Sequence, residues 1–330
     1  MLISERLKTI IKLLADGEFH SGTELAEGLS VSRSAIWKQL NSLPSLGLGY
    51  KAVSGKGYRL NVPLELFTEE QIFQSLNVQA RQFITLFEIH DQINSTNTYL
   101  MECARKNASS GFVCLAESQL NGKGRRGRDW VSPYGSNIYL SILWRFQQNG
   151  LASISGLSLA VGVAIIRALK HHHIENIGLK WPNDIFCEGK KLGGILVEAT
   201  GESDGPCSVV IGLGLNFFLP ETETENITQP WTDLSKITGQ NRLPRNQITA
   251  TMLNHLLPLI AGYEKDGIQA YIDEWRSYDC LKQKQATLHI GKHKIEGIVE
   301  GVDKNGMLLI KHSDGTIKSF ASGEVSFSLS

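Results

Sequence analysis

The chain has 330 residues, 42% of them apolar, which is too long for one ordinary core and enough to fold two or three. Its 33 basic and 33 acidic residues cancel, so any nucleic-acid contact must come from a local patch and not from the overall field. Five scattered cysteines (Cys103, Cys114, Cys187, Cys207, Cys280) without C-x-x-C spacing, and no apolar run of the roughly 20 residues that a span needs, point to a cytoplasmic protein, neither secreted nor membrane-inserted, without structural zinc.

Residues 1–60 read as a small helical unit. Leu7, Ile10, Ile11 and Leu14 recur at helical spacing before Asp16-Gly17 stops the first helix. Ser21 to Leu29 suits a short capped helix, Ser30-Val31 a tight turn, and Ser32 caps a third helix expected to run to about Leu43. This is a helix-turn-helix pattern. On the third helix Ile36, Leu40 and Leu43 turn inward, Arg33, Trp37 and Asn41 lie on an adjacent face, and Ser34 and Lys38 lie further round. Residues 30–60 carry Arg33, Lys38, Lys51, Lys56 and Arg59 with no acidic residue, and residues 50–53 and 57–60 read as a hairpin wing around Ser54-Gly55-Lys56. The DNA-contacting candidates are therefore Gly22, Thr23, Ser32, Arg33, Ser34, Trp37, Lys38, Asn41, Lys51 and Lys56, with Trp37 either facing DNA or tucked under the wing. The alternative is a winged helix used only for protein contacts.

Asn61-Val62-Pro63 marks a boundary, and Thr68 to about Leu76 forms a connecting helix. A larger α/β region then begins near Ile84, with strands at 84–90, 111–118 and 137–145, and helices at 96–106 and about 153–173. The adjacent His171, His172 and His173 at a helix end point in different directions and suit the helix dipole without a metal, so no metal site is assigned.

Within this region lies Gly122-Lys123-Gly124-Arg125-Arg126-Gly127-Arg128-Asp129-Trp130, three glycines among four cations before an aromatic residue. Glycines let backbone N–H groups approach an anion and arginine forks match phosphate oxygens. Two known phosphate motifs are excluded. Gly122-Lys123 lacks the following Ser or Thr and the preceding glycine of a Walker A loop. Gly122, Gly124 and Gly127 do spell G-x-G-x-x-G, but Pro133 and Gly135 break any following helix, and no acid occurs between Asp129 and Glu175 to hold a ribose.

Next, Ile177 to Phe186 reads as a strand delivering Lys180 into a Pro-Asn-Asp turn, where its ammonium would meet a carboxylate. Strands at 191–198 and 209–216 carry glycines that leave room for a ligand. An acidic loop at 221–230 precedes helices at about 246–265 and 267–278, and the tail from Ala286 alternates short strands with turns, as in a small SH3-like β-barrel.

Assembled, the chain resembles from end to end the BirA-type family of bifunctional biotin protein ligases and biotin operon repressors. The resemblance rests on the GKGRRGRDW loop, KWPNDI, KLGGILVE, GLGLN and Ser95-Thr96-Asn97, which fall in the family's order between the winged helix and the β-rich tail. Lys123 departs from it, since the family usually carries arginine there. The resemblance implies a multidomain α/β (α+β) protein. It would comprise a winged helix-turn-helix at 1–62, a class II synthetase-like catalytic domain at 63–280, and an SH3-like domain at 281–330.

It further implies a two-step acyl-adenylate reaction from biotin, ATP and Mg²⁺ to biotinyl-5′-AMP, and then to a lysine of a biotin carboxyl carrier protein. Lys180, Arg125 and Arg128 would be catalytic. Ser95, Thr96, Asn97, Gln119, Lys123, Gly124, Arg125 and Lys180 would bind biotin, and Gly122, Lys123, Arg125, Arg126, Arg128, Trp130, Asn216 and Trp231 the adenylate. The other expected partner is operator DNA of biotin genes, bound by a homodimer that biotinyl-5′-AMP promotes. The basic loop is expected to order only when an anion arrives, because its like charges repel. A lipoate ligase, or a ligand-sensing repressor without turnover, is the competing reading.

Overall fold

The computed structural model describes residues 3–147, 150, 154–201, 205–225, 227–239 and 243–327. Ser153, the expected start of the long helix, and Asn226 of the acidic loop lie outside the described residues.

Serine caps build the first unit. The Ser4 hydroxyl accepts from Leu7 N–H at the start of α1 (Glu5–Leu14), Ser21 and Glu24 form a reciprocal capping box on α2 (Gly22–Gly28), and Ser32 caps α3 (Arg33–Leu40). The apolar stripes of the three helices close one core of Leu7, Ile10, Ile11, Leu14, Leu25, Ile36 and Leu40. Helix α3 stops at Leu40 and not at Leu43, because Pro44 opens a 3₁₀ turn over Leu43–Leu46 that ends at Gly47 in the left-handed region (φ 78°). The wing follows as β1 (Tyr50–Val53) paired antiparallel with β2 (Gly57–Leu60), and His20 and Tyr58 exchange backbone hydrogen bonds of 2.9 and 2.8 Å that fix it to the helices.

Helices α4 (Glu69–Ser75) and α5 (Val78–Arg81) lead to a seven-stranded sheet of β3 (Leu86–His90), β4 (Phe112–Ala116), β5 (Asn137–Phe146), β6 (Ile177–Lys180), β7 (Asp184–Cys187), β8 (Lys190–Gly201) and β9 (Cys207–Asn216). Its order is β3-β4-β5-β9-β8-β7-β6, and only the β3/β4 pair, joined by α6 (Thr96–Arg105), is parallel. Alternation splits the side chains between two faces. Val113, Ile142 and Ile211 join the core against α7 (Leu157–His171) and α9 (Arg245–Asp266), while Cys114, Leu143 and Val210 pack with Leu100 and Ala104 of α6. Helix α7 starts later than expected because Gly156, at φ 75°, turns the chain into it.

After α8 (Leu234–Thr238), α9 and α10 (Ile272–Ser277), the strands β10 (Gln285–Ile290), β11 (His293–Val302), β12 (Leu308–Lys311), β13 (Ile317–Phe320) and β14 (Glu324–Phe327) form an antiparallel sheet in the order β13-β12-β11-β10-β14. This β-rich unit shares its core with the large domain, and the Trp181 indole donates to Gly306 O at 3.0 Å across the junction.

The first unit has its own core, to which the large domain adds one side chain. Tyr134, from the large domain, is 1% exposed and sits in the helical unit's core with Leu64 and Leu66 of the linker packed beside it. The linker is itself pinned. Glu117 accepts from Phe67 N–H at 2.5 Å and from the Arg245 guanidinium at 2.7 Å, and both charged groups are almost fully buried.

Candidate active site and DNA-facing surface

Glycines open a cleft on the α6 side of the sheet. A Cβ at Gly214 would stand 2.5 Å from the Trp130 indole and one at Gly212 would collide with the Asn97 carboxamide, so these positions on β9 accept no larger residue without displacing a cleft side chain. Trp130 therefore lies on the sheet, against Gly214 and Gly194, with its indole N–H buried and unpartnered among the described residues.

The basic loop closes on itself in front of this floor. Trp130 N–H donates to Gly122 O at 2.8 Å, Gly124 N–H to Arg128 O at 2.6 Å, and Lys123 and Asp129 form a β-bridge. Arg126 and Gly127, at φ 57° and 73°, make the tip. Its charges are offset from outside. The Arg128 guanidinium pairs with Glu324 of β14, Arg126 stands 3.9 Å from the same carboxylate, and Arg125 donates to Asn183 Oδ1 at 3.0 Å. Self-repulsion, the premise for expecting an unordered loop, is thus countered by the C-terminal unit. Burial, reinforced by Arg126, holds the Arg125 guanidinium below its ordinary pKa.

The opposite wall is the start of α6. Ser95, Thr96, Asn97 and Gln119 all line the cleft, as expected from the sequence. Thr96 N–H and hydroxyl reach Gln119 Oε1 at 3.0 and 3.3 Å, and Gln119 donates onward to Ser132 Oγ at 3.1 Å. The Ser95 hydroxyl caps α6 by accepting from Thr98 N–H. Asn97 is more committed: its amide donates to Leu196 O at 3.2 Å and Glu198 at 2.9 Å, and its carbonyl accepts from Ser141 at 2.6 Å. These bonds hold α6 on the sheet.

Two chambers result. The inner, of about 90 Å³, lies between Ser95–Asn97, Gln119 and the glycine floor. The outer, of about 310 Å³, is bounded by Val131, Asn216, Leu219, Ile227 and Trp231. They share the wall formed by Arg128, Asp129, Trp130, Lys191 and Gln229. Of the expected nucleotide residues, Arg128, Trp130, Asn216 and Trp231 come together here, with Lys123, Gly124 and Arg125 lining the inner chamber. Gly122 and Arg126 line neither. Gly122 supports the loop instead, since a Cβ there would meet Ser132 Oγ at 2.6 Å.

Lys180 lines neither chamber, and its ammonium stands 4.8 Å from the centre of the Phe186 ring. The cause is topological: β6 is the edge strand, separated from the glycine-bearing β8 and β9 by β7. Burial pulls the Lys180 ammonium below the usual lysine pKa. Lys191 lies in the wall that the two chambers share, 12% exposed and 2.8 Å from Asp184 Oδ1. Its backbone is tied to the acidic loop by Lys191 N–H to Pro230 O and Thr232 N–H to Lys191 O, both 2.9 Å.

On the helical unit, Trp37 is 58% exposed and so faces outward, not under the wing. Thr23, Arg33, Ser34, Lys38, Asn41, Lys51 and Lys56 are exposed with it. Gly22 abuts Tyr58 of the wing, Ser32 serves as the cap of α3, and Asn41 Oδ1 accepts from Tyr50 OH at 3.2 Å.

Family models match three stretches: the HTH domain at 6–59, the Biotin/lipoate A/B protein ligase family at 89–216, and the Biotin protein ligase C terminal domain at 286–328. The chain is 38% identical over 317 residues to the bifunctional ligase/repressor BirA of Escherichia coli K12, covering 96% of this chain and 95% of that one. The chain belongs to the BirA family. The BirA protein of Bacillus subtilis is 29% identical over 317 residues, covering 95% and 96% of the two chains. Among solved structures, the biotin protein ligase from Aquifex aeolicus in complex with biotin and ATP matches with a TM-score of 0.62 at 26% identity, covering 75% of this chain and all of that one.

Proposed function

We propose that the chain is an ATP-dependent biotin protein ligase that forms biotinyl-5′-AMP, transfers biotin to a lysine of a biotin carboxyl carrier protein, and represses biotin genes through its winged helix. The observation that carries this reading is the wall of Lys191, Arg128 and Trp130 shared by the two chambers. An acyl-adenylate has two unlike ends joined at one phosphate, and the cleft offers two unlike chambers joined at two cations.

Biotin enters the inner chamber, where the Thr96 and Gln119 groups exchange their mutual hydrogen bonds for the ureido end. Adenine enters the outer one, toward Trp231 and Asn216. The biotin carboxylate oxygen attacks the α-phosphorus and pyrophosphate departs. Lys180 holds the reacting carboxylate in line, Arg125 and Arg128, with Lys191 beside them, stabilise the charge that builds on the phosphate oxygens, and no covalent enzyme nucleophile is required. The amine of the carrier lysine then attacks the acyl carbon. A C–N bond forms, the C–O bond to phosphate breaks, and AMP leaves with the electron pair. The cleft carboxylates suit Mg²⁺, being oxygen donors of which Asp129 has no side-chain partner among the described residues. Mg²⁺ held by Asp129 or Asp184 would neutralise phosphate charge.

The units proposed are 1–62 for DNA binding, 63–280 for catalysis and 281–330 for the β-rich tail that braces the loop through Glu324, in a cytoplasmic protein. Adenylate loading promotes a homodimer that sets two recognition helices on one palindromic operator, so that abundant unmodified carrier relieves repression by consuming the corepressor. Incubation with ATP, Mg²⁺ and a carrier domain, with biotin or lipoate in parallel, tests the enzyme. Mass analysis should find one biotin on one carrier lysine, whereas lipoylation alone or no transfer would reject the proposal.

A further inference from the structure

One side chain joins the helical unit to both walls of the cleft. Asp91, in the loop between β3 and α6, accepts from the Lys8 ammonium of α1 at 2.6 Å through Oδ2 and from the Tyr134 hydroxyl at 3.2 Å through Oδ1. An exposed ion pair alone positions little, but this carboxylate is shared with a tyrosine buried in the helical unit's own core. The hydrogen bond to Asp91 raises the pKa of Lys8, with Glu5 adding to it.

Both ends of the clip are continuous with ligand-facing residues. The Asp91 loop runs directly into Ser95–Asn97, and Ile93 forms a bridge with Gln119, Leu120 N–H donates to Ile93 O at 2.9 Å and Asn121 N–H to Asn94 O at 2.8 Å. Tyr134 follows Trp130 by four residues, and its N–H donates to Leu46 O in the turn after α3 at 3.1 Å. Beside it, a Cβ on Gly47 would stand 3.0 Å from Pro133 and 3.2 Å from Glu223 of the acidic loop.

We propose that the Lys8–Asp91–Tyr134 contact is an interdomain clip through which occupancy of the cleft sets how firmly α1 and the recognition helix are held on the catalytic domain. Seating a ligand on Thr96, Gln119 and Trp130 fixes the two segments that carry Asp91 and Tyr134, and the clip passes that ordering to α1. The inference rests on the ligase reading of the cleft and adds a mechanism for its communication with the DNA-facing unit.

Amide hydrogen exchange of full-length protein, followed by mass analysis of peptides from α1, tests it without DNA. Exchange is compared without ligand and with biotin, ATP and Mg²⁺, and bound biotinyl-AMP is quantified in the same samples. In the wild type, ligand should slow exchange in α1 by about ten-fold, within the usual range of coupling between sites. Lys8→Met and Tyr134→Phe, tested separately so that one folding failure does not decide the matter, should each reduce that effect to less than about two-fold while the protein still loads with adenylate. Ligand-dependent slowing that survives in both single variants overturns the clip, as does a wild type that loads with adenylate yet shows no slowing. A wild type that forms no adenylate fails the ligase reading itself.

Discussion

Replacing Lys191 by methionine keeps the length of the side chain and removes one positive charge from the wall between the chambers. The ammonium lies 2.8 Å from Asp184 and is 12% exposed, so it acts where water screens poorly. A unit charge about 4 Å from the phosphate oxygens, at an effective dielectric of about 20, contributes about 4 kcal/mol. Each 1.4 kcal/mol is a factor of ten in rate, so adenylate formation should fall by about 10²- to 10³-fold, the range found when a single preorganised donor to a developing charge is removed. The assay is biotin-dependent exchange of labelled pyrophosphate into ATP, run beside Lys180→Met, which should lose activity as well, its ammonium holding the reacting carboxylate. Near-normal exchange by Lys191→Met would refute its part in the wall.

Gly214→Ala should fold normally, because φ at Gly214 is not positive, but its Cβ would drive Trp130 off the sheet floor and weaken retention of biotinyl-AMP; equilibrium dialysis measures this. For His20, burial lowers the imidazole pKa, but hydrogen bonds donated to Asp16 and Glu24 outweigh it and leave a net rise above 6.5. The resulting stabilisation of the helical unit is complete below pH 6.5 and lost as pH rises through the raised value, so thermal melts at pH 5.5 and 8.5 should differ, and His20→Asn should reduce the difference. Lys51→Ala and Lys56→Ala should each weaken DNA binding similarly across sequences and reduce the salt slope by about one, whereas Trp37→Ala should change affinity without that slope change. Titrations at several salt concentrations separate the two.

The elements with strong periodicity were legible. The α1 stripe, the serine caps and the long apolar helix α7 depend on local spacing, and glycine-rich strands announced an open floor. The cleft was read only in part. Arg125, Arg128, Trp130, Asn216 and Trp231 carried their own signal, but Lys191 did not, because its place in the wall depends on strand order, with β7 between its own β8 and the β6 of Lys180. Glu324 was illegible for the same reason: its pairing with Arg128 joins residues 196 apart in sequence through packing between domains. The bonds of Asn97 to Ser141, Leu196 and Glu198 were equally illegible, since they join residues far apart in sequence.

The central claim is that the two chambers hold one acyl-adenylate across the Lys191 wall. Purified protein incubated with biotin, ATP and Mg²⁺ but no carrier, freed of unbound nucleotide and then denatured, can be analysed for the small molecule it releases. One biotinyl-5′-AMP per chain, lost in Lys191→Met, is the predicted result; intact ATP and free biotin, or lipoyl-AMP formed in preference when both acids are supplied, would contradict it.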